Sequence, residues 1–329
     1  MKEKDFHYFN DPPTDLFIIG NGFDIWQGLN TSYKSFARFY NENKLSIAKE
    51  LKLEPLYLTQ DGNQVEITHF DLYYGLITGC GSFLEESDIF WSTFEDSLSD
   101  LDHEQINYYY GKEDEDLEDM QVGINQAYSL IRERFVLWTK TFNIPQGRTP
   151  YNFQNSFFIN FNYTDTLQRK FGVKDFRIYY PHGNVANPKS IIFGHDSYDS
   201  PPPPILKELG GRNKGLYQLA TFLYKTDKHV RLNIVDMMLS LFECGFDWDR
   251  IKNVYILGHS MSNVDIKYFK RFAKETAFTA TWHVSCFREE DKPRIKSLLR
   301  KLHIRKFIIY DTIDDAIEKF KLKKNQSKK

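Results

Sequence analysis

The sequence predicts an α/β fold: a Rossmann-like, mostly parallel sheet with helices on both faces and helical insertions. Short, bulky apolar runs end in glycine or a small polar residue, as buried parallel strands do where they pass the chain to a loop at the carboxyl edge of a sheet. Amphipathic stretches lie between many of these runs, giving the βα alternation of a doubly wound sheet. Aromatic residues make up 16% of the chain, with 28 Phe and 20 Tyr, enough to build a large core.

Seven runs read as strands: 16–20, 157–161, 177–180, 190–193, 254–258, 281–285 and 306–310. Helical patterns cover 32–43, 263–276, 289–302 and 312–320. Residues 44–150 interrupt the alternation. They have few strand signals, an acidic run at 113–119 and a periodic stretch at 120–142, and read as a mainly helical insertion. A second interruption, 198–249, opens on four prolines at 201–204, which can neither continue a helix nor donate to a sheet. They read as a stiff lead into a helical cap, because apolar periodicity follows over 216–242. Residues 321–329, with five lysines, read as a basic flexible tail. The whole chain, 1–329, is thus one core with two insertions.

A net charge of -2, with both signs mixed, gives no field that would steer nucleic acid, so general nucleic-acid binding is excluded. Cys80, Cys244 and Cys286 are far apart and none forms a CxxC pair, so neither a disulfide framework nor a structural zinc is indicated and a reducing cytoplasm is the expected location. No stretch approaches 18 apolar residues, and residues 1–15 are charged and proline-bearing. Neither a membrane span nor a signal peptide is expected.

Four motifs sit at predicted strand ends. The first is LFIIGNGFD over 16–24, followed by Gly28, Thr31 and Ser32. Gly20, Asn21 and Gly22 let a backbone turn tightly toward a phosphate, although the third glycine of GxGxxG is missing and an ordinary tight turn fits the same spacing. Phe23 and Asp24 open the next helix, and Asp24 would serve a ribose hydroxyl or the loop's own backbone. Thr31 or Ser32 suits a helix cap. The second motif is FINFNYTD over 158–165, where Asn160 and Asn162 place polar amides at a sheet edge, able to position water or a sugar. A turn and helix cap built by Asn162, Thr164 or Asp165 is the structural alternative.

The third motif, YYPHGN over 179–184, sets His182 between Pro181 and Gly183, where a base titrating near neutral pH would be useful. A further His-bearing turn, FGHD over 193–196, holds His195 and Asp196. The fourth, VYILGHSMS over 254–262 with Asp265, offers Gly258, His259 and Ser260 as a small-residue loop for a ribose or phosphate. It also mimics a G-x-S-x-G nucleophile elbow in which Ser260 would attack an acyl group, served by Asp265 or Asp291 and His283 or His303. Ser262 stands where the elbow has glycine. His182, His195, His259, Asp196 and Asp265 could instead meet around a metal and activate water for phosphodiester hydrolysis, but no pair has the helical spacing of HExxH, and no metal is expected. Trp91, Phe94 and Leu98 share a helical face read as core, with Glu95 beside it.

In this order the blocks resemble the AbiH family: IGNGFD with Gly28, Thr31 and YKSF at 33–36; Trp91 with Glu95; FNYTD at 161–165; His182 with Gly183; and GHSM at 258–261 with Asp265. The resemblance spans about 14–270 and implies abortive infection, in which a bacterial protein blocks phage propagation at the expense of the infected cell. More distantly, the order is similar to the sirtuin plan. That resemblance implies NAD, as substrate or ligand, bound by Gly20, Gly22, Gly258 and Ser260, with Asn162 and His182 catalytic. The sirtuin Asn-x-Asp turn is one residue longer here, so either Asn162 or Asp165 takes the catalytic place. The zinc-binding cysteines of deacetylating sirtuins are absent between the two later blocks, which argues against peptide deacetylation.

The resulting expectation is an NAD+ glycohydrolase that releases nicotinamide and ADP-ribose. The alternatives are a nucleotide-binding sensor without turnover, a metal-dependent phosphodiester hydrolase and the Ser260 hydrolase. Candidate partners are a nucleotide ligand, a phage-encoded trigger and a further copy of the chain, but no membrane.

Overall fold

A computed structural model describes residues 9, 11–32, 35, 36, 38, 39, 56–60, 63–67, 132–144, 150–192 and 229–321. The chain divides into two compact units, one made of Met1–Thr31, Phe142–Ile191 and Val230–Lys329, the other of Ser32–Thr141 and Ile192–His229.

The first unit is built on a six-stranded sheet. Its strands are β1 (Asp15–Ile19), β2 (Ser156–Asn160), β3 (Ile178–Tyr179), β4 (Asn253–Leu257), β5 (Thr281–Ser285) and β6 (Phe307–Tyr310). Their spatial order is β3-β2-β1-β4-β5-β6, with every neighbouring pair parallel. That is the doubly wound order of dinucleotide-binding folds, whose direction of winding reverses between β1 and β4. β1 and β2 are buried at every position, which explains why they read as continuous apolar runs rather than alternating ones.

Alternate residues of each strand pack against opposite layers. Leu16, Ile18, Phe157, Ile159, Val254, Ile256, Trp282 and Val284 face a core completed by α3 (Val230–Glu243), α4 (Ile266–Thr276) and α5 (Lys292–Lys301). Phe17, Ile19, Phe158, Tyr255 and Leu257 face α1 (Asn21–Trp26), α2 (Thr166–Phe171) and α6 (Ile313–Ile317). On this second face the rings of Phe158, Phe17, Tyr255 and His283 stack across four strands, with successive centroids 5.0, 4.8 and 4.5 Å apart. Stacked cross-strand pairs of this kind add stability beyond their buried area and pin the register.

Six of the seven expected strands are present. Over 190–193, residues 188–190 instead form a 3-10 turn, Ile191 and Ile192 lie outside any strand, and Phe193 falls outside the described residues. Pro188 opens that turn, and Asn184 and Ser190 hold it through side-chain bonds: Asn187 N–H donates to Asn184 Oδ1 (3.0 Å) and Ser190 Oγ donates to the Asn187 carbonyl (2.7 Å). Such local bonds compete with a sheet ladder.

In the second unit, Leu56–Gln60 and Asn63–Ile67 pair as an antiparallel hairpin within the stretch read as mainly helical. A helix covers 132–140, inside the expected 120–142 stretch. Phe36, Phe135 and Trp138 form an aromatic cluster with centroids 5.3–5.4 Å apart. Ser32 caps the chain there, its Oγ accepting from Ser35 N–H at 3.3 Å. Trp91, Phe94, Glu95, Leu98, Cys80, the proline run, His195, Asp196 and the lysines of the tail beyond Lys321 lie outside the described residues. Among the described residues, no helix is long and apolar enough to cross a membrane.

Candidate functional site

The loops after β1, β2, β3 and β4 all open at the carboxyl edge of the sheet, which is where a doubly wound fold binds ligands. The first and last of these loops close tightly on each other. A Cβ on Gly258, whose φ is +64°, would lie 2.2 Å from Phe23 N and 2.4 Å from Gly22 C, so only glycine fits. Gly22 N–H donates to the Gly258 carbonyl at 2.8 Å, and Phe23 N–H donates to the Gly20 carbonyl at 2.9 Å. In this structure the glycines join the two loops at the point where the winding reverses.

The β2 loop locks onto the β1 loop. Asn162 Nδ2 donates to the Gly20 carbonyl at 3.0 Å, while Asn162 N–H donates to Asn160 Oδ1 at 3.0 Å. Thr164 Oγ1 donates to Asp24 Oδ2 at 2.6 Å, and Thr166 Oγ1 donates to Thr164 Oγ1 at 3.1 Å. Asp24 is 1% exposed, and its Oδ1 has no directed hydrogen bond among the described residues. Burial raises its pKa to about 6, against the opposing effect of the Thr164, Thr166 and Asn162 hydrogen bonds. Asn21 meets Thr31, whose Oγ1 donates to Asn21 Oδ1 at 2.7 Å. Asp165 acts on this network through the charge of its side chain, which adds to the rise at Asp24. It occupies the N-cap position of α2 without a side-chain cap bond and pairs with Arg169 at 3.8 Å on a partly exposed surface.

The β3 loop brings in His182. Gly183, with φ +78°, lets the 184–191 loop pass close by, since a Cβ there would sit 2.1 Å from the Ser190 carbonyl oxygen. That approach turns the loop back beside His182. His182 Nε2 reaches to 3.1 Å from Asp265 Oδ1, too poorly aligned to be a directed hydrogen bond. Asp265 Oδ2 lies 3.5 Å from His259 Nε2, so one carboxylate stands between two imidazoles. Asp265 occupies the N-cap position of α4 yet makes no cap bond, because its carboxylate is turned to the histidines. His259 Nδ1 accepts from Met261 N–H at 2.9 Å, so a neutral His259 carries its proton on Nε2, the nitrogen facing Asp265. Phe161 forms the floor, its ring centroid 5.2 Å from that of His182 and 4.6 Å from that of His259.

The sequence-based residues therefore fall into connected groups: Gly20, Asn21, Gly22, Phe23 and Asp24 with Asn162, and His182 with His259 through Asp265. Asp265, which the sequence offered as an acid for Ser260 or as a metal ligand beside these histidines, stands between them, and Phe161 is the addition. Ser260 is exposed, and its carbonyl accepts from Arg294 Nη2 at 2.7 Å. His283 is not brought to it. His283 lies midway along β5, at hydrogen-bonding distance from Tyr310 Oη (2.9 Å) and Asn253 Oδ1 (3.3 Å). Among the described residues, no three His, Cys, Asp or Glu side chains are grouped as a metal site.

No curated protein and no solved structure gives a significant match to this chain. The model of the family described as bacteriophage abortive infection AbiH matches residues 16–286, which span β1 to β5 and every candidate site residue. Its role is phage abortive infection. With most of its length matched, the chain belongs to the AbiH family of bacteriophage abortive-infection proteins.

Proposed function

We propose that this protein acts in abortive infection as an NAD+ glycohydrolase, with NAD+ as substrate rather than redox cofactor. One observation carries the reading: a histidine held against a buried carboxylate, His182 with Asp265, beside the glycine loops of a doubly wound sheet at the reversal point. In the reaction the bond between nicotinamide nitrogen and ribose C1′ breaks, and nicotinamide leaves with the electron pair. Water oxygen bonds to C1′, giving ADP-ribose, and the proton released passes to His182 and then to solvent. Asp265 Oδ1, 3.1 Å from His182 Nε2, fits the role of orienting that imidazole. Asn162 fits the role of positioning water or the ribose, and Asp165, out on the α2 surface, fits it less well. The loops holding Gly20, Asn21, Gly22, Phe23, Asp24, Gly258, His259 and Ser260 are the proposed nucleotide-binding segments. A nucleotide sensor without turnover uses the same loops. Incubation with NAD+, followed by chromatography for nicotinamide and ADP-ribose and by calorimetry for binding, separates the two. Equal release of both products supports hydrolysis, and binding without product supports the sensor. Activity that chelation abolishes would favour the metal-dependent alternative.

A further inference from the structure

Helix α3 is apolar on two opposite sides. Val230, Met237 and Leu241 are buried in the core. Leu232, Val235, Leu239 and Phe242 are exposed to 56, 54, 56 and 79%. Their spacing of three, four and three residues puts them on one stripe, the pattern of a helix-packing seam. Single exposed apolar residues are ordinary, but a contiguous stripe marks an interaction surface.

The stripe is symmetric about position 237. Leu232 mirrors Phe242, and Val235 mirrors Leu239. Arg231 and Glu243, both exposed and of opposite charge, mirror each other across the same point. We infer that the exposed face of α3 is a homodimer seam, in which a second copy of this chain packs its own α3 antiparallel against this one. A two-fold interface needs a surface complementary to itself. Here the two-fold sets Leu232 against Phe242 and Val235 against Leu239, and brings the positive Arg231 end of each helix to the negative Glu243 end of the other. A parallel pairing would bring like charges together at both ends. The apolar spacing would suit any packed helix, but an unrelated partner would require no mirror symmetry in the charges. The 14-residue helix offers a seam of about 21 Å, the centre of an interface.

Analytical ultracentrifugation of the full chain over a concentration series tests the seam, independently of any catalytic activity. The wild type should dimerise, and Leu239→Glu should weaken the dimer by at least ~10-fold, because it buries two charges at the seam. An unchanged far-UV spectrum shows that the variant is folded. Glu243→Arg should weaken the dimer about 3- to 10-fold, and Arg231→Glu/Glu243→Arg should restore it. A dimer indifferent to Leu239→Glu overturns the proposal, as does a wild-type chain still monomeric at ~100 µM, which would leave the stripe to a different protein. Should Leu239→Glu fail to fold, the charge pair decides: weakening and rescue support the seam, and indifference to Glu243→Arg overturns it.

Discussion

His182 Nε2 and Asp265 Oδ1 lie 3.1 Å apart, although their loops leave strands β3 and β4, which are separated in the sheet by β2 and β1. The contact therefore spans the carboxyl ends of β2 and β1 and joins the two halves of the doubly wound sheet over Phe161. The Asp265 carboxylate, 8% exposed, is turned from its helix cap toward the two imidazoles beside it.

His182→Ala and Asp265→Ala should prove non-additive in denaturant unfolding. Each removes the other's partner, so the double variant should lose less than the sum of the singles, with a coupling of about 1–3 kcal/mol. Additivity within error would mean that the contact is not energetically formed.

Asp24 costs the fold stability near neutral pH. Its folded pKa of about 6 lies above the ordinary value of 3.8, so the folded state binds the proton more tightly. Its contribution is full below pH 3.8 and is lost as pH rises through about 6. Asp24→Asn keeps an acceptor for Thr164 without the buried charge. It should gain relative to wild type as pH rises from 4 to 7, on the order of 3 kcal/mol by linkage. Thermal melts at several pH values read this directly. A difference that does not change with pH would show that Asp24 titrates normally.

His283 acts with the opposite sign. Burial first, and the Lys319 charge second, lower its pKa from 6.5 to about 4, so it remains neutral in the folded protein while the unfolded chain takes up a proton. The stability it supplies is present above pH 6.5 and is lost as pH falls toward 4. His283→Phe keeps the stack on Tyr255 and should flatten the acid side of the stability profile. Wild-type and variant curves that stay parallel over that range would contradict the assignment.

The loop closure at the reversal point should tolerate no side chain. Gly258→Ala would place a methyl against the Gly22–Phe23 backbone in a left-handed conformation, and should destabilise by about 2–4 kcal/mol or more. Gly28→Ala shares the positive φ but meets nothing within 4 Å, and should cost only about 1 kcal/mol. Equal melting temperatures for the two variants would contradict the tight closure.

The parallel sheet was legible because buried parallel strands are almost wholly apolar, as LFII at 16–19 and VYIL at 254–257 are. The run at 190–193 misled because its apolar content says nothing of the side-chain bonds from Asn184 and Ser190 that tie the preceding turn. The hairpin Leu56–Gln60 with Asn63–Ile67 had a signal, the Asp61 and Gly62 pair between two alternating stretches, a strong hairpin mark. Among the site residues, His182 and Asn162 could be singled out by placing polar groups after strands. The grouping of Asp265 with His182 and His259 could be raised only by supposing the fold, because a motif's spacing within one loop carries no information on which strands lie side by side.

The most direct test of the proposed chemistry is nicotinamide release from NAD+ by purified wild type and by His182→Ala, each with and without phage lysate, after circular dichroism has shown both to be folded. Wild type should release nicotinamide and ADP-ribose in equal amounts, and His182→Ala should lose at least ~100-fold. Wild type that releases no nicotinamide under either condition, or a His182→Ala variant as active as wild type, would overturn NAD+ hydrolysis at this site.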